Sequence, residues 1–143
     1  MHAETLKGFF EGNVCGSALA AETDATNDEV RHHADDVLTD DLCADFPVKP
    51  AHLVALCESV ARKELQPCHL EVIASVLVRS ERFTWDPTTP EGGLVSKVIY
   101  AWEAPEINYV LSHETVKKFG RLLTSGEDTF GPSDWSALPR LNR

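Results

Sequence analysis

Residues 67–82 read PCHLEVIASVLVRSER. Five apolar residues recur there at the spacing of a helix that buries one face, namely Leu70, Ile73, Ala74, Leu77 and Val78. Val72 and Val76 lie off that face, so the segment is hydrophobic around much of its circumference. Helices of this kind lie inside a core. The stretch therefore predicts a central helix that starts at Pro67 and ends between Arg79 and Arg82.

The two segments nearest the N-terminus also carry apolar residues at helical spacing, over 4–20 and 27–42. Gly8, Gly12 and Gly16 weaken the first prediction, because three interior glycines cost a helix about 3 kcal/mol relative to alanine. The second segment opens with a capping box formed by Thr26 and Glu29. We expect a helix in each segment, with close packing or irregularity at the glycines of the first.

Prolines and glycines mark the connections between the remaining segments. A helix is predicted from Pro50 to about Leu65, and another from Ser112, its N-cap, to Gly126, which follows its C-terminus. Residues 83–93 are dense in helix breakers and predict a loop. Residues 94–102 favour a short helix, with a short strand as the alternative because Val98, Ile99 and Tyr100 are β-prone.

These segments together predict a mostly all-α fold, a compact single-domain bundle of five or six helices. The domain is expected to span 1–143, with 127–143 as a loosely structured C-terminal tail. No window approaches eighteen uninterrupted apolar residues, and the N-terminus lacks the pattern of a secretory signal. Cytoplasmic localisation is the expectation. The four cysteines form no CxxC pair, so we expect reduced, mostly buried thiols.

The sequence contains no complete catalytic or ligand-binding motif. There is no G-x-S-x-G, no G-x-x-x-x-G-K and no G-x-G-x-x-G. Residues 24–35 resemble a calcium loop but lack its glycine at position 6, and the pair His32 and Asp36 is common on exposed helices. Cys68 and His69 lie at a helix start without a recognisable partner. We therefore predict no metal and no cofactor.

Negative charge is concentrated in the first third of the chain. Residues 1–48 contain eleven acidic and two basic residues, a net charge of −9, whereas residues 49–143 contain twelve and eleven, a net charge of −1. Such a field repels nucleic acid and anionic membranes and favours a basic protein partner. The predicted partner-binding carboxylates are those of Asp28, Asp35, Asp36, Asp40 and Asp41.

The function expected from this charge is that of a non-enzymatic acidic binding protein. In size and charge the chain is comparable to small acidic antitoxins and immunity-type inhibitors, and this analogy is at the level of class only. A second hypothesis is a small enzyme or ligand-binding domain that uses the aromatic region 83–109. Its candidate pocket residues are Trp85, Tyr100, Trp102, Glu106 and Tyr109. A third is a homodimer packed through the glycines of residues 8–16.

Overall fold

The computed structural model describes residues 1–30 and 38–136, without the side chains of 26–30. Within these ranges the chain forms six α-helices and one two-stranded parallel sheet, which confirms the mostly helical prediction. The helices are α1 (Ala3–Phe10), α2 (Gly16–Val30), α3 (Pro50–Ala61), α4 (His69–Arg79), α5 (Pro90–Glu103) and α6 (His113–Ser125). The strands are β1 (Phe46–Pro47) and β2 (Phe83–Thr84). None of the described helices is both long and apolar enough to cross a bilayer.

Helix α4 lies at the centre of the core, as its sequence predicts. Leu70, Ile73, Ala74 and Leu77 are completely buried, and Val76 on the other face is buried as well. The helix packs between α2 and α5. Because α4 is covered on two sides, it needs apolar residues around most of its circumference.

The helix predicted over 4–20 is interrupted at its glycines, the irregular alternative, because the chain turns between Phe10 and Gly16. Gly12 lies in that turn with φ +83°, a backbone conformation that L side chains adopt only with strain. Gly8 lies against Val14, and Gly16 lies against Glu64. Gly8 and Gly16 therefore make contacts within the chain, Gly12 allows the turn, and the three do not form one helical stripe.

The helix predicted over 27–42 is also wrong at both ends. Helix α2 already runs from Gly16 to Val30, so the Thr26–Glu29 box lies inside a helix rather than at its start. Residues 38–45 are not helical, because Thr39 pairs its backbone with Met1 and Ala3 instead of with its own neighbours. Residues 31–37 lie outside the described part of the chain.

Helix α5 begins at Pro90, so the predicted loop 83–93 is shorter than expected. The hydroxyl of Thr89 accepts a hydrogen bond from the amide of Gly92 and caps the helix. A Cβ on Gly92 would lie 1.8 Å from the carbonyl oxygen of Asp86, so glycine is required here by packing. Residues 94–102 are helical, and the alternative of a strand is wrong.

The caps predicted for α6 and the pinning of the following segment are visible in detail. Ser112 Oγ accepts from the Thr115 amide at 3.1 Å, and Gly126 ends the helix with φ +76°. The Phe130 ring stacks on Tyr109 with a centroid distance of 4.0 Å. Phe130 also contacts Phe119 of α6, and Lys118 of α6 pairs with Asp134, so the described part of the predicted tail is held against α6. Residues 137–143 lie outside the described part of the chain.

Candidate functional site

The structure places two of the five predicted partner-binding carboxylates in hydrogen bonds that join distant parts of the chain. Asp40 accepts from Ser80 Oγ and from the Glu81 amide, each at 3.0 Å. Asp41 accepts from the Glu4 amide at 2.9 Å, in the first turn of α1, and lies 3.1 Å from His2 Nδ1. The other three predicted residues, Asp28, Asp35 and Asp36, fall outside the described side chains.

Burial alone would raise the pKa of Asp41, yet its hydrogen bonds lower it. The amide of Glu4, the residue's own amide and His2 all favour the ionised form. Asp40 and Asp41 remain exposed at the surface, but both already accept hydrogen bonds from other parts of the chain.

The exposed carboxylate of Asp24 contacts the buried ring of His69, the residue that follows Cys68. His69 Nδ1 accepts from the Gln66 amide at 2.9 Å, so the ring proton lies on Nε2, which donates to Asp24 Oδ1 at 2.7 Å. Both ring nitrogens are occupied. His69 therefore has no nitrogen left to act as a base toward Cys68.

The five aromatic and carboxylate residues of the second hypothesis lie in different environments. Trp102 is completely buried and packs edge-to-face on Phe119, whereas Tyr100 is 52% exposed. Tyr109 belongs to the stack with Phe130, Trp85 is half-buried and Glu106 is exposed. None of the five lines the groove described next.

Glu106 has one electrostatic neighbour of note. Partial burial and, second, the negative charge of Glu106 raise the pKa of Glu71 on α4. Two carboxylates that face each other at a surface disfavour each other's ionisation. Within the described residues, however, no group of three or more His, Cys, Asp or Glu side chains is placed to hold a metal ion.

A groove runs between α3 and α6, which pack along each other. It consists of three cavities of about 570, 370 and 400 Å³ that share wall residues. The largest shares Cys57 and Lys117 with the second cavity and Val54 with the third. The start of α3 lies opposite the end of α6, so the two helices are antiparallel. The three cavities therefore lie in a row along the same helix pair, which we call the groove.

The floor of the groove is apolar and its walls differ in charge from end to end. One end is lined by Lys63, His113 and Lys117 and by no acidic residue. The middle of the groove is also lined by two further basic residues, Lys118 and Arg121, and by two acidic residues, Glu58 and Glu114. The opposite end holds one charged residue, Glu58, among mostly small apolar residues, with the full lining Ala51, Val54, Ala55, Glu58, Leu123 and Thr124.

Cys57 forms part of the floor of the groove, and its thiol is unreactive. Burial, followed by the negative charge of Glu58, raises the pKa of its thiol to about 12. The thiol is therefore protonated at neutral pH and acts as a small apolar group rather than as a nucleophile. All four cysteines are free, but Cys15, Cys43 and Cys68 are exposed, so the prediction of mostly buried thiols is wrong.

Two residues that line the groove go against their local backbone preference. Gly120 lies inside α6, where glycine is about 1 kcal/mol less favourable than alanine, although a methyl group would fit there. Lys63 follows the end of α3 with φ +63°, a position where glycine is the usual residue. Local rules are most often broken at functional or strained sites. Two such departures in one groove therefore mark it as the candidate site.

Sequence reasoning missed this groove, because its two walls come from α3 and α6, which are separated by about fifty residues of the chain. The one signal within reach was Gly120, a glycine in the middle of a helix with otherwise regular apolar spacing. Comparison of the chain with protein-family models, with curated proteins and with solved structures found no match.

Proposed function

We propose that this protein is a binding module that holds a helical segment of a partner protein in the groove between α3 and α6. The observation that carries the proposal is the row of three cavities, with shared wall residues, along one antiparallel helix pair. Helix α3 has 12 residues and is therefore about 18 Å long. That length matches about three turns of a bound helix, and an amphipathic helix lays its apolar face into such grooves.

The openness of the groove favours a helix over a small molecule. Ala61 in its wall is exposed, and Val54 and Gly120 are partly exposed. Small-molecule sites enclose about 70–90% of the ligand surface, which an open groove does not do. A helix, in contrast, presents one face to the groove and leaves the opposite face in water. The protonated thiol of Cys57 supplies no nucleophile.

The proposal is tested by blocking the groove and comparing captured proteins. Gly120→Leu fills the floor, and Ala61→Trp fills an exposed wall position that should not disturb folding. Ala18→Leu on the exposed surface of α2 is the matched control. Affinity capture from the native host should retain the partner on the wild type and on Ala18→Leu and lose it on both groove variants. A capture profile that is the same for all four proteins would refute the groove.

The acidic N-terminal third is a second candidate docking surface, for a basic protein partner. It is favoured by the charge split of −9 against −1 and by the exposure of Glu4 and Glu11 on α1. Reversal of these two residues to Lys leaves the hydrogen bonds of Asp40 and Asp41 in place. If the surface docks a basic partner, the reversal should slow association about tenfold, and added salt should do the same. An association rate that neither change affects would mean that the charge has no role in docking.

A further inference from the structure

The charge gradient along the groove identifies the kind of segment that it accepts, if the groove binds a helix as proposed above. We propose that the partner segment is an acidic amphipathic helix whose acidic end lies over Lys63, His113 and Lys117. Its apolar face would extend from there toward Ala51 and Leu123 at the other end of the groove.

The basic end of the groove has charge available for a partner. Lys63, His113 and Lys117 form no ion pair with any described residue, whereas Lys118 lies 2.7 Å from Asp134 Oδ2. His113 and Lys117 are exposed on the first two turns of α6. An acidic side chain placed above them therefore gains attraction without having to displace an existing carboxylate.

The backbone at Lys63 supports the same assignment. A lysine at φ +63° is about 1 kcal/mol or more less favourable than glycine in this conformation. Glycine at position 63 would end α3 equally well, because the hydrogen bonds at the helix end are donated by the backbone amides of Lys63, Glu64 and Leu65. The side chain of Lys63 thus adds nothing to the helix end that glycine lacks, but it adds a positive charge to the groove wall.

The overall charge of the chain limits the partner to a short acidic segment rather than an extended polyanion. The chain carries a net charge of −10, and residues 1–48 account for −9 of it. Exposed charges are screened over about 8 Å at physiological ionic strength. A few carboxylates at the basic end are therefore governed by the nearby lysines. A nucleic acid or an anionic membrane would extend beyond that range, where the negative net charge of the chain opposes its binding.

The test uses three designed helical peptides of about 14 residues that share one apolar face. One carries four Glu at one end, the second carries Gln there and the third carries Lys. Fluorescence anisotropy measures the three affinities. The Glu peptide should bind the wild type about tenfold tighter than the Gln peptide, because a few exposed charge pairs together contribute about that much. The Lys peptide should bind most weakly. The double variant Lys63→Glu with Lys117→Glu should reverse this order. Lys97→Glu, an equal charge change on the exposed part of α5, should keep it.

A spin label on the Glu end of the peptide gives an independent readout of direction. It should broaden the amide signals of Lys63, His113 and Lys117, and a label at the other end should broaden those of Ala51 and Leu123. Equal binding of the Glu and Gln peptides would overturn the acidic assignment and leave the groove function standing. If no peptide binds, the groove function fails together with this inference. Self-association of the wild type that Ala61→Trp abolishes would show that a second copy fills the groove, and would also overturn the assignment.

Discussion

A methyl group placed on Gly120 of α6 would lie 3.7 Å from the Cβ of Cys57 on α3, an ordinary van der Waals contact. The two helices thus approach each other at a position where alanine would fit without displacing its neighbour. Glycine keeps the floor of the groove one methyl group deeper than packing requires. Gly120 therefore both lowers the stability of α6 and keeps the groove open.

The first prediction is that Gly120→Ala makes the protein more stable. Alanine removes the backbone entropy cost of glycine in a helix, so the free energy of unfolding should rise by up to about 1 kcal/mol. Urea denaturation monitored by circular dichroism measures the change. The groove becomes shallower in this variant, so affinity for a groove-bound helix should fall. Destabilisation by Gly120→Ala would show that the space beside Cys57 is smaller than the structure indicates.

The second prediction concerns the central helix. Leu77 is completely buried, and its replacement by alanine should lower the free energy of unfolding by about 2–5 kcal/mol because it leaves a cavity. Val78→Ala, at a partly buried position on the same helix, should cost less. A loss of less than about 1 kcal/mol for Leu77→Ala would contradict the placement of α4 at the centre of the core.

The third prediction follows from the cysteines. At pH 8 a thiol with a pKa of about 12 is ionised in only about one molecule in ten thousand. Iodoacetamide should therefore modify the three exposed cysteines of the native protein and leave Cys57 unmodified. All four should react after denaturation. Mass spectrometry of the intact protein and its peptides counts the modified sites, and rapid modification of Cys57 in the native state would contradict its burial in the floor.

The fourth prediction is a loss of stability on the acid side that depends on His52. Burial and, second, the charge of Lys49 lower the pKa of His52 below its usual 6.5. Because the unfolded chain then binds the proton more readily than the folded one, stability is present above about pH 6.5 and is lost as the pH falls through the lower, folded-state pKa. His52→Gln should remove this part of the pH dependence in urea titrations between pH 7.5 and 5. A ring titration of His52 by NMR with a midpoint above 6.5 would reverse the sign.

The fifth prediction separates two acidic residues of the same segment. Asp41 caps α1 through the Glu4 amide, so Asp41→Ala should cost about 0.5–2 kcal/mol of unfolding free energy. Asp45 pairs with Arg82 at an exposed site, so Asp45→Ala should cost less than about 1 kcal/mol. Because hydrogen bonds lower the pKa of Asp41, its stabilisation is present above 3.8 and is lost as the pH falls through the lower folded-state pKa. Equal costs for the two variants would argue against the capping role.

Predictions from local pattern succeeded where one segment contains all the information. The burial of Ile73 and Leu77 follows from apolar spacing within α4, and the caps Ser112 and Gly126 follow from residue preferences at helix ends. They failed where a distant segment decides. The helix predicted over 27–42 does not extend through Thr39, for example, because Thr39 pairs its backbone with Met1 and Ala3.

The sequence by itself determined the helical class of this protein, its central helix and its excess of negative charge. Only the tertiary structure decided where charge of either sign is available to a partner. It places Asp40 and Asp41 in hydrogen bonds within the chain, and it gathers Lys63 and Lys117 at one end of a groove. The physical reason is that a surface potential depends on distances and screening rather than on a count of charges. For the two lysines, those distances are set by the packing of α3 on α6, two helices that are far apart in the chain.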